Sequence, residues 1–416
     1  MCVGALMGAQ ISAQDLDQVR NMAILGQHAK AKEAIDKYLA VEKNAKKADG
    51  WFYKGFVYNM VSRDTTKTLD ESAALKEEAL AALKKYRDMD AKRELLEENS
   101  NSPFFDIYSG YASDLGIRAY NDKNFGKAAD FFSKALDVHD FIYSNNITGA
   151  NGFKFGALDT TLVIYTAIAA NEAKNLDLAA VYYKKLVDAN VGGDQYVDVY
   201  QKLADYYKEK KNREALMALL EKAKVVYPTN NEYWVALEVE YETDGVEKPA
   251  LFGKYDALVA KYPGNYTVCY NYAVELYHYI YAEENKTKDN SAYKAKIQEV
   301  IKAALAAKST SEANFLMANF LYNYSIDISD DAKKLKGPKP EDLKKKKELN
   351  AKSEEVMMSA VPYAEKVISL FADIKKPKSS EKINNRQALI ILSNIYEAKK
   401  DQTKADYYNK LSKEAY

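Results

Sequence analysis

The sequence predicts an all-α protein, an α-solenoid of repeated helical hairpins with helical and loop insertions between them. One stretch, residues 115–136, carries two apolar stripes at helical spacing, and similar stripes recur along most of the chain. The 416 residues include only 8 prolines and 17 glycines, too few for the turns of a β-rich fold. Because one hairpin cannot bury both of its stripes, stacked copies are expected.

The hairpin in residues 115–136 has a polar break at residues 121–126, which separates its two helices. Two small residues, Gly116 and Ala128, are expected where the helices cross, because larger side chains there would push the axes apart. The remaining apolar positions at helical spacing are Leu115, Ala119, Tyr120, Phe131, Phe132, Ala135 and Leu136.

A second stretch, WFYKGFVY at residues 51–58, has the pattern W-x2-K-G-x2-Y. It resembles the opening helix of the tetratricopeptide repeat, whose usual pattern is W-x2-L-G-x2-Y, then A-x3-F, then P. Residues 115–136 resemble the same repeat more completely. The resemblance implies a right-handed superhelix whose concave groove holds a peptide or the surface of another protein.

The glycine position of this repeat recurs through the chain. Separations of 33, 37, 34 and 36 residues lie close to the family's period of 34, and the larger ones indicate insertions. Two residues depart from the small side chain expected there, Glu238 and Asn319, and indicate either loosely packed copies or a wrong register. The aligned residues are Met22, Gly55, Gly116, Ala167, Ala204, Glu238, Val274, Asn319 and Ser393.

This register divides the chain into three groups of repeats. Residues 14–142 form N-terminal repeats with a helical insertion at about 62–103, and residues 161–308 form central repeats. Residues 309–416 form C-terminal repeats with a Lys-rich insertion at about 325–350, which we interpret as a solvated face. In the central group, Pro228 and Pro263 each follow a tyrosine and are expected to end a second helix.

Two insertions carry specific predictions. Asp70 is expected to cap the N-terminus of a helix over residues 71–88. A glycine-rich loop occupies residues 143–160, and its core, NNITGANGFKFG, lacks the Gly-Lys-Ser/Thr ending of a phosphate-binding loop. We interpret it as a mobile surface loop that Phe153 and Phe155 make a candidate lid or partner contact.

Composition and motifs exclude several classes of function. Lys+Arg and Asp+Glu are equal at 60 each, so no overall field favours nucleic acid or an anionic membrane. No stretch has the length of a transmembrane helix. The histidines, His28, His139 and His278, are scattered singly, and no catalytic or dinucleotide motif occurs, so no catalytic residue, metal or cofactor is predicted. Cys269 is expected to be a small core residue.

The N-terminal residues 1–13 resemble a truncated export signal, apolar and ending in small residues. This predicts export to the periplasm or cell envelope through a truncated or misannotated signal peptide. The alternative is the irregular start of a first helix in a cytoplasmic protein.

The leading functional prediction is a non-catalytic scaffold that binds protein or peptide in the groove implied by the resemblance, with the oligomeric state left open. The groove would be apolar early and acidic in the middle. Alternatively, the early aromatics pack under the insertions and the acids are only solvated. A glycan or solute binder using a Tyr-rich surface, with 34 tyrosines, is the runner-up, and a hydrolase is third. The predicted groove residues are Phe52, Phe56, Ile117, Tyr120, Ile164, Ile168, Asp198, Gln201, Asp205, Glu232, Glu242, Asn271 and Glu275.

Overall fold

A computed structural model describes residues 16–285, 288–337 and 339–415. These residues are mostly helical and contain no strand, which confirms the all-α prediction. The predicted export signal at residues 1–13 lies outside the described residues. The chain divides into two compact units, one ending at Pro228 and the other beginning at Thr229.

The first unit contains helices α1 to α13 and a π-helical segment, Gly110–Ile117, between α7 and α8. Each helix of its second half packs mainly on its neighbours in sequence, from α9 on α10 to α12 on α13. The helices are α1 Leu16–Ile24, α2 His28–Leu39, α3 Glu42–Ala45, α4 Ala48–Val61, α5 Leu69–Met89, α6 Glu94–Glu98, α7 Ser102–Ser109, α8 Arg118–Asn121, α9 Phe125–Ser144, α10 Thr160–Glu172, α11 Leu176–Asp188, α12 Val197–Glu209 and α13 Arg213–Val226.

The second unit contains helices α14 to α22. Its first helices also pack on their sequence neighbours, whereas α18 packs against α19, α20 and α21 together. Cys269 on α16 is fully buried in this core, as predicted. The helices are α14 Asn231–Thr243, α15 Ala250–Lys261, α16 Tyr266–Ile280, α17 Ser291–Ala307, α18 Ser311–Lys334, α19 Pro340–Ser359, α20 Val361–Ala372, α21 Ser379–Ala398 and α22 Gln402–Glu414.

Several hairpins share one turn. A lysine in the left-handed region, with φ between 53° and 61°, precedes an Asn or Asp that is the N-cap of the next helix. The backbone N–H of this Asn or Asp donates to the carbonyl five residues earlier, and its side chain accepts from the N–H three residues later. A carbonyl at the end of the first helix and an N–H at the start of the second therefore each have a hydrogen-bond partner. The pairs are Lys123-Asn124, Lys174-Asn175, Lys211-Asn212 and Lys400-Asp401.

Helix α5 pairs with α4, so the segment interpreted as an insertion supplies the second helix of that hairpin. A Cβ on Gly55 would lie 2.5 Å from Leu83 Cγ, which explains why the α4 side of this crossing is a glycine. The predicted cap at Asp70 is wrong by two residues. Thr68 is the N-cap, and Glu71 completes a capping box with it, because its carboxylate reaches back to the Thr68 backbone N–H.

The predicted helix ends before the two prolines are confirmed. Helix α13 ends at Val226 and α15 at Lys261, each one residue before a Tyr-Pro pair. Tyr227 and Tyr262 have nearly identical backbone angles, with φ of −125° in both. The residue before a proline is disfavoured in the helical region, so both helices stop at the same point of the pattern.

Candidate functional site

An apolar pocket lies in the first unit where the π-helical segment and α8 meet α9 and α10. Its volume is about 280 Å³. We call it the apolar pocket and define it by the residues that line it, which are Ile117, Tyr120, Phe132, Tyr165 and Ile168. Three of these, Ile117, Tyr120 and Ile168, belong to the predicted groove, so the structure brings part of that prediction together at one place.

The π-helical segment contributes Ile117 to the lining of the pocket. A π-helix widens the turn by one residue, and such segments often mark functional sites. Ile117 ends the segment and is 45% exposed, so much of its side chain is accessible at the pocket. Beside it Gly116 is buried, and a Cβ there would lie 2.3 Å from the ring of Phe132. The glycine therefore lets the Phe132 ring lie against the backbone and form the pocket wall.

The lining of the pocket is aromatic and aliphatic. The rings of Phe132 and Tyr165 are 6.3 Å apart between centroids, and Tyr165 is 49% exposed. The Tyr120 ring packs edge-on against Phe125, with centroids 5.1 Å apart. The five lining residues are aromatic or aliphatic, so the site offers mainly hydrophobic contact, with the hydroxyls of its two tyrosines as polar groups.

The other predicted apolar groove residues lie elsewhere. Phe52 on α4 is only 3% exposed, and its ring contacts that of Tyr86 on α5 with centroids 5.4 Å apart. Phe52 therefore packs under the predicted insertion, as the alternative interpretation of the early aromatic residues expects. It offers almost no surface to a ligand. Phe56 on α4 and Ile164 on α10 are half-buried and do not line the apolar pocket.

The predicted polar residues of the first unit lie on α12. Asp198 and Asp205 are exposed and Gln201 is half-buried. Asp205 lines a cavity of about 190 Å³ between α10, α11 and α12, together with Lys202 and Tyr206. The exposed acids of α12 are thus available to a ligand.

In the second unit, two of the predicted groove carboxylates are paired with lysines, so this surface carries less negative charge than the sequence indicates. Glu242 forms an ion pair with Lys254 at 2.7 Å, and Glu275 forms one with Lys248 at 3.1 Å. Each lysine cancels the charge of its partner at close range. Glu232 is exposed on α14, and Asn271 is half-buried on α16.

The glycine-rich loop is anchored by an aromatic cluster. Phe105 of α7 contacts both Phe153 and Phe155, and Phe155 also contacts Tyr108 and the buried His139. The Tyr108 hydroxyl donates to Asp159, the N-cap of α10; burial and this carboxylate raise the pKa of Tyr108. These contacts hold the loop against α7 and α9.

Sequence reasoning missed two residues of the apolar pocket. Phe132 was assigned to packing within its hairpin, and Tyr165 was not singled out. A signal for Tyr165 was present, because it precedes Ile168 by three positions and therefore shares a helix face with it. The π-helical segment had no such signal, since its apolar spacing also fits an ordinary α-helix.

Among the described residues, no group of three or more His, Cys, Asp or Glu side chains is arranged to hold a metal ion. No described helix combines the length and the apolar character needed to cross a membrane. Comparisons of the chain with models of known protein families and with curated proteins find no match.

Proposed function

We propose that the protein is a non-catalytic scaffold that binds a protein or peptide partner, with an apolar side chain of the partner inserted into the apolar pocket. The observation that carries this proposal is the pocket itself, a concave apolar surface that leaves Ile117 and Tyr165 nearly half exposed. Binding energy at protein interfaces concentrates where an anchoring side chain fills such a pocket.

The size and chemistry of the pocket favour an anchor side chain over a free small molecule. Its volume of about 280 Å³ lies just below the usual range for ligand sites, about 300–1,000 Å³. Small-molecule sites also need a few polar groups that fix orientation, and this lining supplies only tyrosine hydroxyls. A side chain of a larger partner is oriented by contacts outside the pocket.

Within each unit, we propose that the hairpins stack as tetratricopeptide-like repeats in a right-handed superhelix. Two features support this arrangement. Most helices pack on their neighbours in sequence, and the Lys-Asn or Lys-Asp turn recurs with the same hydrogen bonds at several hairpins. Repetition of one turn chemistry is expected when one structural unit is copied.

The partner is proposed to be extended, apolar at one end and basic or polar at the other. In the first unit, the exposed carboxylates of Asp198 and Asp205 on α12 support the polar part. Charges of this kind increase the rate of encounter more than the final affinity. Binding should therefore slow as the salt concentration rises, while contacts in the apolar pocket persist.

The test is site-specific photo-crosslinking in the native cell. A photoreactive amino acid replaces Tyr165 in one variant and Val181 in another. Val181 is a matched control, because it is 53% exposed on α11 of the same unit and does not line the pocket. We expect a discrete crosslinked protein from position 165 and none from position 181, identified by mass spectrometry.

The decisive comparison adds Ile117→Asp to the Tyr165 crosslinker. A carboxylate at the pocket wall would be buried by the bound partner without a hydrogen-bond partner of its own and should abolish the crosslink, while Val181→Asp should leave it unchanged. Equal crosslinking in the presence of Ile117→Asp would contradict the proposal, provided that the variant retains its helical circular dichroism.

A further inference from the structure

The second unit contains a polar cavity of about 500 Å³ between α18, α19 and α21. We propose that it binds a sugar acid, a polyhydroxylated carboxylate of monosaccharide size. Its volume falls within the range of about 300–1,000 Å³ that is typical of small-molecule sites. The cavity differs from the Tyr-rich surface predicted for a glycan binder, because among the described residues Tyr322 is the one tyrosine that lines it.

The frame of the cavity is fixed by contacts between its three helices. The Ser353 hydroxyl on α19 donates to the Ser325 carbonyl on α18 at 2.8 Å. Lys399, which follows α21, forms an ion pair with Glu354 on α19. These groups hold the walls together, and the ion pair adds no net charge to the cavity.

Other polar side chains of the lining are free to bind a ligand. Within the described part of the chain, Asn350, Asn394 and Ser329 make no side-chain hydrogen bond. Each asparagine offers two donors and one acceptor, and the serine hydroxyl offers both. This alternation of donors and acceptors matches the hydroxyl groups of a sugar, each of which donates and accepts.

One charge of the lining is left uncompensated. Lys400 forms no ion pair within the described residues, so the lining as a whole carries one net positive charge. A single carboxylate on the ligand balances it, whereas a phosphate ester would bring more negative charge than the lining can neutralise.

One side of the cavity is apolar, which suits the C–H face of a sugar ring. The side chains of Tyr322, Ile326 and Met357 also line it, and Ile326 is 41% exposed. The C–H face of a sugar ring can pack on such a surface while its hydroxyls reach the amides. The arrangement of polar groups on one side and apolar groups on the other is general for small-molecule sites.

The test is titration of the full chain with D-glucuronate, with D-glucose and inorganic phosphate as comparison ligands. Calorimetry or saturation-transfer NMR should show glucuronate binding more tightly than glucose, and phosphate not binding. The double variant Asn350→Ala/Asn394→Ala should weaken glucuronate binding about tenfold or more, since two hydrogen bonds are lost. Lys400→Gln should weaken glucuronate and leave glucose binding unchanged.

Matched controls lie on α22 of the same unit. Asn409→Ala and Lys413→Gln change exposed residues of the same types outside the cavity and should leave binding unchanged. The proposal is overturned if glucuronate does not bind, if the cavity variants bind it as the parent does, or if phosphate binds equally well. It is also overturned if a peptide of mixed sequence competes for the cavity and sugars do not.

Discussion

One position of the predicted repeat is Gly116 in the first unit and Glu238 in the second, and both residues are buried. At Gly116 the absence of a side chain lets the Phe132 ring lie against the backbone. Glu238 is 3% exposed, and its carboxylate accepts hydrogen bonds from Lys261 and from the Tyr262 hydroxyl, both at 2.6 Å. The first position is therefore governed by volume and the second by polar partners.

The difference shows that this repeat position accepts either a very small side chain or a polar one. Close helix packing requires either very little volume or a polar group whose hydrogen bonds are satisfied. From the sequence alone, Glu238 at this position indicates loose packing or a wrong register. In the structure the residue is packed within the core and bonded to the following helix and its end, so the departure from a small side chain does not require loose packing.

The largest effect is expected from Gly116→Val. The added side chain would meet the Phe132 ring at 2.3 Å and the Tyr111 carbonyl at 3.0 Å, so the ring or the backbone around it must shift. We expect the free energy of unfolding to fall by about 3 kcal/mol in urea denaturation.

Gly126→Ala is the control for this substitution. It adds a methyl group to α9, the other helix of the hairpin, where nothing lies within 4 Å of the new Cβ. It should raise stability by about 0.5–1 kcal/mol through helix propensity alone. A comparable loss in both variants would mean that volume at position 116 does not control the packing.

Several features whose partners lie nearby in sequence were predicted correctly, although the cap of α5 was placed two residues too late, at Asp70. The polar break at residues 121–126 and the two Tyr-Pro helix ends depend on local chemistry, and the structure has them where expected. Phe52 is buried because its ring packs on α5, a helix interpreted as an insertion, and the buried Glu238 carboxylate accepts a hydrogen bond from Lys261. Neither partner is close in sequence. The apolar pocket includes Ile117, the last residue of a π-helical segment, and the wider turn of such a segment leaves no pattern in hydropathy.

Lys76 extends the comparison, because it is a buried charge in the first unit that forms no ion pair with the described residues. Its side chain is fully buried on α5, and its ammonium donates to Asn59 Oδ1 at 3.2 Å. Burial lowers the pKa of Lys76 from 10.5 to about 8, while Asp114 and Asp106 act in the opposite direction. Unlike Glu238, Lys76 therefore weakens the fold in its charged form.

Lys76→Met tests this difference through pH. Between pH 8 and 10.5 the Lys76 side chain binds fewer protons in the folded protein than in the unfolded chain, so the contribution of this residue to the stability of the parent should rise with pH across that window. At pH 7 the substitution should raise the free energy of unfolding by about 2 kcal/mol, because it removes the buried charge. This figure allows for the loss of the hydrogen bond to the side-chain oxygen of Asn59. Urea denaturation at pH 7 and pH 10 should show this advantage shrinking at the higher pH. An advantage that stays constant with pH would show that Lys76 carries no unfavourable charge.

The smallest effect is expected from Glu238→Gln, which keeps the shape of the side chain and removes its charge. The amide oxygen can still accept one hydrogen bond, and Lys261 is 46% exposed, so water screens much of the lost ion pair. We expect a loss of about 1 kcal/mol, the difference between a charged and a neutral hydrogen bond. Lys261→Met, alone and combined with Glu238→Gln, completes a double-mutant cycle in urea denaturation. If Lys261 partners the Glu238 carboxylate, Lys261→Met should be less destabilising when Glu238→Gln is already present than in the parent. Additive effects would instead show that Lys261 does not stabilise the Glu238 carboxylate, and the contrast with Gly116 would then not rest on an ion pair.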